Sequence, residues 1–446
     1  MENNNIISIG IFFDGTGNNG INATSPQKPT KNNESYYSST TNIYRLFGLF
    51  SGNEKAYIEG IGTLTGQEDS SYAMGTCMNP VGYKGYSSDD KLAKACAFIA
   101  DKMKDKTKEY HFYVYGFSRG AMLARTFCYE LLKKGTKYTE NIKVKFLGIY
   151  DTVESTPPTL NYPVNLLPGI ENALHLCAVN ECRYFFPLTG IFKDSPTMKD
   201  EKSVTPTSVW KEMFVPGAHA DVGGGYLEGP QSVYISANYT KNAKVIEYVE
   251  KVRDTKRDSE GNKIWYSLLE SYKLDEGMIY SQAYVKRNNV YNDLSKVYGK
   301  LMLKETNLVT PIFSTNFNES NFEINFQKHP YLIALSEEIE AYAKDLSPSL
   351  KPKYNYQKLV DYTHISANFG LYKTALLKGA QNEIDVELIN NGLNVPSDTV
   401  ALASLNTADL KMKAEAGNLE AKSVTDLTYG TNIPNNDTWS RTILVK

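Results

Sequence analysis

Short apolar runs and amphipathic segments alternate along the first 230 residues of the chain. Ile6–Phe13 is almost continuously apolar and leads into the polar loop Asp14–Asn19, a pattern typical of a buried strand that ends in a tight turn. Asn42–Leu49 has apolar residues at helical spacing, and Ala56–Gly60 has the pattern of a second short strand. This part of the chain therefore predicts strands and helices that follow one another in turn.

The same alternation continues to about residue 226. The predicted elements are a helix that begins at Asp89 and Asp90 and continues to Met103, a strand at His111–Tyr115, a helix from about Gly120, and strands at Val144–Tyr150 and Trp210–Val215. Strands that alternate with helices favour an α/β fold with a mainly parallel sheet and helices on both of its faces.

The pattern changes after Tyr226. Residues 231–300 are polar, rich in tyrosine and helical in places, which is typical of an insertion that caps a core. Further helices are predicted near residues 296–304, 331–345 and 371–379. We therefore expect a catalytic core at 1–230, a mostly helical insertion or cap with the remaining core elements at 231–380, and a C-terminal accessory segment at 381–446.

Composition and charge narrow the class of protein. The chain has 446 residues, 41% of them hydrophobic, and a formal net charge of −2. This length suits two domains, or one domain with large insertions, and the near-zero charge provides no basic field for nucleic acid. The N-terminus lacks the basic region of a signal peptide, and no apolar run approaches the roughly 18 residues of a membrane span. We expect a globular protein that is made in the cytoplasm and has no nucleic-acid partner.

The cysteines do not indicate a disulfide framework or a metal site. There are five, at irregular spacing, which predicts reduced and mostly buried thiols. Cys177 and Cys182 lie near His175, but their C-x4-C spacing is not that of a familiar zinc knuckle, so a partly buried helix is favoured over a metal site. We expect neither a metal nor a cofactor.

The segment Gly116–Gly120 reads GFSRG and lies between a predicted strand and a predicted amphipathic helix. A sharp strand-to-helix turn of this kind exposes a serine hydroxyl, and small residues beside it avoid clashes with the neighbouring elements. This context favours Ser118 as a nucleophile over a purely structural turn. The helix N-terminus would place the amide of Arg119 where it can stabilise an oxyanion.

The loop after the first strand is the candidate for a second oxyanion-binding amide. In this fold that amide comes from a loop behind an early strand, which here points to Gly15 and Thr16. Asp14 would orient this loop or the serine turn. The alternative is that Asp14-Gly15 forms a tight turn and nothing more.

A serine nucleophile needs a base and a carboxylate that orients the base, in the chain order serine, acid, histidine. Asp151 ends the strand that follows the serine turn and is favoured as the acid, with Asp221 as its competitor. His219 lies in a glycine-rich loop after a strand, and His364 follows a short apolar run, so both histidines could reach Ser118. His219 is favoured as the base, and the remaining histidines, His111, His175 and His329, are less suitably placed.

Together these segments resemble one family, the phospholipase effectors of bacterial type VI secretion systems and the hydrolase domains related to them. The matching segments are FFDGTGNN at 12–19, YIEGIGT at 57–63, YGFSRGA at 115–121, GIYDTV at 148–153, ECRYFFPL at 181–188 and PGAHADVGGGY at 216–226. They occur in the family's order and span roughly the first half of the chain.

The resemblance implies an α/β-hydrolase core and a serine esterase or phospholipase that acts on glycerophospholipids. It implies Ser118 as nucleophile, Asp151 as acid and His219 as base. It also implies an antibacterial effector that a type VI system delivers into the periplasm of a target cell, with a spike or tube protein and an immunity protein as partners. Helices after residue 230 would be candidates for contact with the bilayer.

Two other functions remain open at this stage. One is a cytosolic carboxylesterase or thioesterase without a secretion role. The other is a catalytically silent hydrolase-fold module that binds a partner.

Overall fold

Strands and helices alternate as predicted from residue 6 to residue 150, whereas the described residues between 151 and 215 form strands without a helix between them. In the computed structural model, the described residues are 5–29, 33–134, 141–192, 201–205, 208–237, 239–254, 263–276, 281–317, 322–325, 327–369, 433–435 and 439–444. The strands are β1 Ile6–Phe13, β2 Glu54–Ile58, β3 Glu109–Phe117, β4 Ile142–Tyr150, β5 Asn172–Ala178, β6 Leu188–Thr189, β7 Glu201–Thr205, β8 Ser208–Val215, β9 Gly229–Tyr234, β10 Lys273–Glu276, β11 Ser281–Val290 and β12 Ile443–Leu444.

The helices are mostly short and lie between or after these strands. They are α1 Gly20–Ala23, α2 Glu34–Tyr37, α3 Asn42–Leu49, α4 Ser71–Thr76, α5 Ser88–Lys102, α6 Arg119–Leu132, α7 His219–Gly223, α8 Asn242–Asp254, α9 Lys263–Leu269, α10 Leu294–Val309, α11 Pro330–Asp345 and α12 Tyr356–Leu359, with 3-10 turns at Pro348–Leu350 and Val360–Tyr362. Among the residues described, no helix combines the length and the apolar composition that a bilayer crossing needs.

Seven strands of the described chain form one sheet in the order β2-β1-β3-β4-β5-β8-β7. Every neighbouring pair is parallel except β7 and β8, which are antiparallel at the edge. The predicted α/β class with a mainly parallel sheet is therefore confirmed. Because the strands are parallel, the loops that follow β1, β3, β4 and β8 all leave from the same edge of the sheet.

Both faces of the sheet are buried, which explains why its strands are almost continuously apolar. In β1, Ile9, Ile11 and Phe13 pack with α5 and α6, whereas Phe12 packs on the opposite face with α3. β3 alternates in the same way, with Phe112 on the first face. Successive side chains of a strand point to opposite faces of the sheet. A strand that is covered on both faces is therefore apolar at nearly every position, and its sequence lacks an alternation of apolar and polar residues.

The second half of the chain completes the core. Leu301 and Met302 of α10 pack against the face of the sheet that also buries Phe12 and Tyr115. Trp439 belongs to the same continuous hydrophobic cluster. Side chains from both sides of residue 230 therefore share one core, and the packing is not divided at that position.

Several local expectations differ from the structure. The segment 231–300, expected to be helical in places, contains α8 and α9 and also strands of a three-stranded antiparallel sheet in the order β10-β11-β9, which the sequence did not predict. His175 lies in strand β5 and not in a helix, because a short apolar run has no period that separates the two. The N-cap of α5 is Ser87, and Asp89 and Asp90 lie in the first turn. The helix expected near 371–379 and most of 381–446 lie outside the described residues.

Candidate active site

Ser118 occupies a strained turn between β3 and α6. Its backbone has φ 59° and ψ −130°, a conformation that L-residues rarely adopt. A Cβ on Gly116 would lie 2.6 Å from Cα of Ala121, and one on Gly120 would lie 2.3 Å from the carbonyl oxygen of Asp14. Both flanking positions therefore exclude any side chain, as a strand-to-helix turn that presents a serine requires.

The ends of β3 and β4 hold Ser118 beside Asp151. The Ser118 amide donates to the carbonyl oxygen of Tyr150 at 3.0 Å, and the Ser118 carbonyl accepts from the amide of Val153 at 3.4 Å. Asp151 itself has φ 43°, so the chain turns sharply directly after β4. The two residues that the sequence named as nucleophile and acid thus lie on adjacent loops.

His219 lies at the N-terminus of α7 and contacts Asp151. Its Nδ1 is 2.5 Å from Oδ2 of Asp151, while Oδ1 of Asp151 accepts from the amide of Ala178 at 2.8 Å. The His219 ring packs against that of Phe117, the residue before Ser118, with centroids 4.5 Å apart. An Asp–His pair in which the acid binds Nδ1 leaves Nε2 available as a base toward a neighbouring serine.

Two further ion-pairing groups surround this pair. Arg441 Nη2 lies 3.0 Å from Oδ2 of Asp151, and both side chains are fully buried. Glu181 accepts from the backbone amide of His219 at 3.3 Å and forms a two-bond ion pair with Arg183. The site therefore holds two buried carboxylates, and each of them faces an arginine.

These charges set the protonation of the site. Burial alone would raise the pKa of Asp151, but the Arg441 guanidinium and the hydrogen bonds from His219 and Ala178 hold it below its usual value. Burial would also raise the pKa of Glu181, and its pairing with Arg183 lowers it to about 2 instead. Burial lowers the pKa of His219, and its bond to Asp151 opposes this only in part. At neutral pH the site therefore holds two carboxylates and a neutral imidazole.

His364 and Asp221, which the sequence left as alternatives, form a second Asp–His pair with each other. Nδ1 of His364 lies 2.6 Å from Oδ1 of Asp221, and the His364 amide donates to Oδ2 of the same carboxylate at 2.9 Å. The ring stacks on Tyr226 at a centroid distance of 4.2 Å, and its buried Nε2 has no hydrogen-bond partner among the described residues. Asp221 and His219 both belong to α7, so the second pair fixes the short helix that carries the first.

The loop after β1 lies directly against the serine turn. Asp14 is buried and accepts from Tyr57 Oη at 2.5 Å, from Thr41 Oγ1 at 2.7 Å and from the Gly15 amide at 2.8 Å. Burial outweighs these bonds and raises the pKa of Asp14 to about 6. Because Asp14 already holds the Gly15 amide, Thr16 is the better candidate for an oxyanion donor. Its buried Oγ1 has no hydrogen-bond partner in the part of the chain that the structure describes.

Arg119 connects the serine turn to the loops above it. Its Nη2 donates to the carbonyl of Met74 at 2.5 Å, and Nη1 lies 3.2 Å from Sγ of Cys77. The Arg119 side chain is thus occupied by structural contacts. Only its backbone amide, at the first position of α6, is suited to bind an oxyanion.

The other histidines have structural partners. His175 Nδ1 is 2.8 Å from Glu212, and His175 Nε2 accepts from the amide of Thr152, which supports the turn at Asp151. Ligand atoms of His175, Cys177 and Glu212 lie within 4.8 Å of one another. Both ring nitrogens of His175 are engaged in these contacts, so a hydrogen-bonded pair accounts for the group. His111 pairs with Glu109 at 2.5 Å, and His329 with Tyr362 at 3.0 Å.

Sequence reasoning missed Glu181, Arg183 and Arg441. Glu181 and Arg183 lie in the segment ECRYFFPL, but nothing in their spacing indicates a role beside a histidine. Arg441 stands between Trp439 and the apolar pair Ile443-Leu444. A lone charge in such a run needs a partner when it is buried, and this was the one local signal that could have drawn attention to it.

The parallel sheet, the strained serine turn after β3 and the Asp–His pair on the following loops define an α/β-hydrolase core. A family described as "T6SS, Phospholipase effector Tle1-like, catalytic domain" matches residues 8–135 and 128–242, which together span more than half of the chain. The protein therefore belongs to the Tle1-like phospholipase effector family of type VI secretion, and this family implies hydrolase activity.

A solved structure shares the fold of this chain. A Tle1 effector bound to the VgrG spike of the type VI secretion system has a TM-score of 0.54 and 21% sequence identity, and the alignment covers 82% of this chain and 84% of that one. An uncharacterised protein from Pseudomonas aeruginosa has a TM-score of 0.40 and 16% identity, with 97% of this chain and 65% of that one covered. A search of curated proteins gave no match.

Proposed function

We propose that the protein is a serine esterase which hydrolyses acyl ester bonds of membrane glycerophospholipids. The observation that carries the proposal is the Asp151–His219 pair beside the strained turn at Ser118. His219 is held by Asp151 through Nδ1, so Nε2 is the nitrogen that would take the Ser118 proton. His364 is bound to a different carboxylate, Asp221, and this geometry favours His219 as the base.

The reaction proceeds in two steps. His219 takes the Oγ proton while Ser118 attacks the ester carbonyl, and the amides of Arg119 and Thr16 bind the oxyanion that forms. His219 then gives the proton to the leaving lysophospholipid oxygen, and an acyl-enzyme remains. Water attacks the acyl-enzyme with His219 again as base, which releases the fatty acid and restores the Ser118 hydroxyl.

The effector role rests on the family. The structural neighbour Tle1 is bound to a VgrG spike, and we extend this kind of partner to the present chain. A type VI system would deliver the protein into the periplasm of a target cell, where membrane phospholipid is exposed. A cell that makes such an enzyme would also need a cognate immunity protein that blocks the site.

The test compares hydrolysis by the wild type and by Ser118→Ala, His219→Ala and His364→Ala. Substrates are glycerophospholipid vesicles and short soluble esters, and labelling of Ser118 by a fluorophosphonate is measured in parallel. We expect wild-type turnover of vesicles, and losses of at least about a thousandfold for Ser118→Ala and His219→Ala. His364→Ala should retain measurable turnover.

Each alternative has its own outcome. Turnover of soluble esters alone would indicate a carboxylesterase or thioesterase. An unlabelled Ser118 in folded protein would indicate a silent binding module. Loss of activity in His364→Ala together with full activity in His219→Ala would reverse the assignment of the base.

A further inference from the structure

We propose that Arg441, more than 200 residues beyond the last recognisable motif, is a positioning residue of the hydrolytic site. It fixes the Asp151 carboxylate and balances its charge, so that His219 works as a neutral base. This inference rests on the proposed function, because it assigns a role within the Ser118–Asp151–His219 group. Arg441 itself does not touch the reacting atoms.

The first support is geometric. Arg441 Nη2 and His219 Nδ1 both contact Oδ2 of Asp151, at 3.0 and 2.5 Å. Arg441 Nη1 donates to the carbonyl of Ala178 at 3.3 Å, and the amide of Ala178 donates to Oδ1 of Asp151 at 2.8 Å. Both carboxylate oxygens are thereby fixed, and Ala178 ties the arginine and the acid to the end of β5.

The second support is the way in which the chain delivers Arg441. On its C-terminal side, β12 pairs with β6 in parallel, and the amide of Leu188 donates to the carbonyl of Thr442 at 2.8 Å. On its N-terminal side, Trp439 packs edge to face on Trp265 with centroids 5.3 Å apart, and Trp439 Nε1 donates to Tyr248 at 2.9 Å. Anchors on both sides therefore hold the arginine in place.

The third support is the balance of charge. Asp151, Glu181 and Arg183 act on His219 directly, and Arg441 faces it across the Asp151 oxygen that both contact. Asp221 of the same helix is bound to His364. Two carboxylates face two guanidinium groups, so the buried site is balanced when His219 is neutral. Without Arg441 one negative charge is uncompensated, and a proton on His219 would compensate it.

The experiment measures the titration of His219 directly. Full-length protein labelled at the histidine ring is titrated by NMR from pH 5 to 9, and the His219 signal is assigned by its loss in His219→Gln. We expect the midpoint of the His219 titration to rise by about one pH unit in Arg441→Gln, because a nearby cation is lost. In Arg441→Lys it should stay within about half a pH unit of the wild-type midpoint. This readout does not depend on enzymatic turnover.

Arg125→Gln is the matched control. Arg125 is also buried and donates to the carbonyls of Val164, Thr189 and Gly190, close to the strand that pairs with β12. Its loss removes a buried arginine from the same region, but none of these bonds reaches Asp151. We therefore expect no change in the His219 midpoint, even where thermal unfolding shows a loss of stability.

Activity provides a second readout. The acid limb of kcat/KM in Arg441→Gln should move to higher pH by the same amount as the NMR midpoint. An unchanged His219 midpoint in Arg441→Gln would overturn the inference. Should that variant not fold, a shift of more than about half a unit in Arg441→Lys, which keeps the charge, would overturn it equally.

Failure of the proposed function has a different signature. If neither hydrolysis nor labelling of Ser118 occurs in the wild type, the esterase proposal fails, whatever the NMR titration shows. If wild type is active, Ser118→Ala is inactive and the Arg441 variants titrate like wild type, only the role of Arg441 is refuted.

Discussion

Asp151 is the residue through which most of the site is connected. It accepts hydrogen bonds from His219, Arg441 and the amide of Ala178, and it does so at a backbone φ of 43°. The positive φ carries a conformational cost that the surrounding bonds must offset. A fully buried carboxylate with these partners stays ionised and keeps the imidazole of His219 in one orientation.

In the proposed reaction, the pH dependence follows from His219. Burial lowers its pKa below the ordinary value of 6.5 more than Asp151 raises it. We therefore expect the acid limb of kcat/KM to have its midpoint below about 6.5, because the base is needed in its neutral form. Rates on a soluble ester between pH 5 and 8 measure this limb. A midpoint clearly above 6.5 would contradict the prediction.

At the scale of elements, the conformation of the serine turn depends on β1 and the loop after β1, which pack against it. The N-terminus of α6 sits against the end of β1, with no room for a side chain at Gly120. The loop after β1 is in turn fixed by Asp14 and its bonds to Thr41 and Tyr57. The conformation of the serine turn therefore depends on the packing of β1, β3 and α6 against one another as well as on the local sequence.

Gly120→Ala tests this contact. In an open helix the change would stabilise by up to about 1 kcal/mol, but here the new Cβ would lie 2.3 Å from the Asp14 carbonyl oxygen. We expect a loss of about 2 kcal/mol or more in the free energy of unfolding and at least a tenfold loss of activity. Urea unfolding and ester hydrolysis measure the two effects.

Gly66→Ala is the control for this prediction. Gly66 has φ +75°, and apart from its two chain neighbours no described residue has an atom within 4 Å of the point that a Cβ would occupy. The substitution therefore carries backbone strain without a clash. We expect a cost of about 1 kcal/mol and no loss of activity. If Gly120→Ala lowers stability and activity no more than Gly66→Ala does, the close packing at Gly120 is not required.

The sequence predicted correctly the strands and helices whose bounds are determined by residues close to them in the chain. Ile6–Phe13 and Asn42–Leu49 have the predicted bounds, because an apolar strand before an Asp-Gly turn and a capped amphipathic helix need no distant partner to be recognised. β5 was mistaken for a helix because its seven residues are short and apolar. The sheet of β9, β10 and β11 was missed, since two of its strands are separated by α8 and α9.

The sequence motifs named Ser118, Asp151 and His219 as the site, and their catalytic roles stay predictions. Ser118, Asp151 and His219 follow strand ends, and the structure brings these three residues together at one edge of the sheet. The pairing of His364 with Asp221 was not predicted, because the sequence offered them only as the alternative base and the alternative acid for Ser118. The partner of Arg441 could not be predicted either, since Asp151 precedes the arginine by 290 residues.

At the scale of the molecule, the residues that carry the motifs do not form a separate core. α10 packs on the sheet, and Asn42 of α3 donates to the carbonyls of Val222 at 3.0 Å and Ser295 at 2.8 Å. Helix α7, which carries His219, is thus held between an early helix and a late one. The arrangement of the site depends on contacts with the second half of the chain.

A fragment of residues 1–242, the part that the family match reaches, tests this dependence. Removal of α10 would expose Phe12 and Tyr115, which are fully buried in the whole chain. We expect the fragment to aggregate or to lack a cooperative thermal transition, and to hydrolyse no ester. The full chain is the control. A fragment that melts cooperatively near the temperature of the full chain would contradict the prediction.

The contact between Asp151 and Arg441 also has a consequence for biosynthesis. A ribosome must add 290 residues after Asp151 before it reaches Arg441. At about 5 to 20 residues per second, this takes roughly 15 to 60 seconds. During that interval the nascent chain already contains Ser118, Asp151 and, later, His219, but not the arginine that completes their surroundings. The order of synthesis therefore leaves the proposed hydrolytic site incomplete until Arg441 has been added.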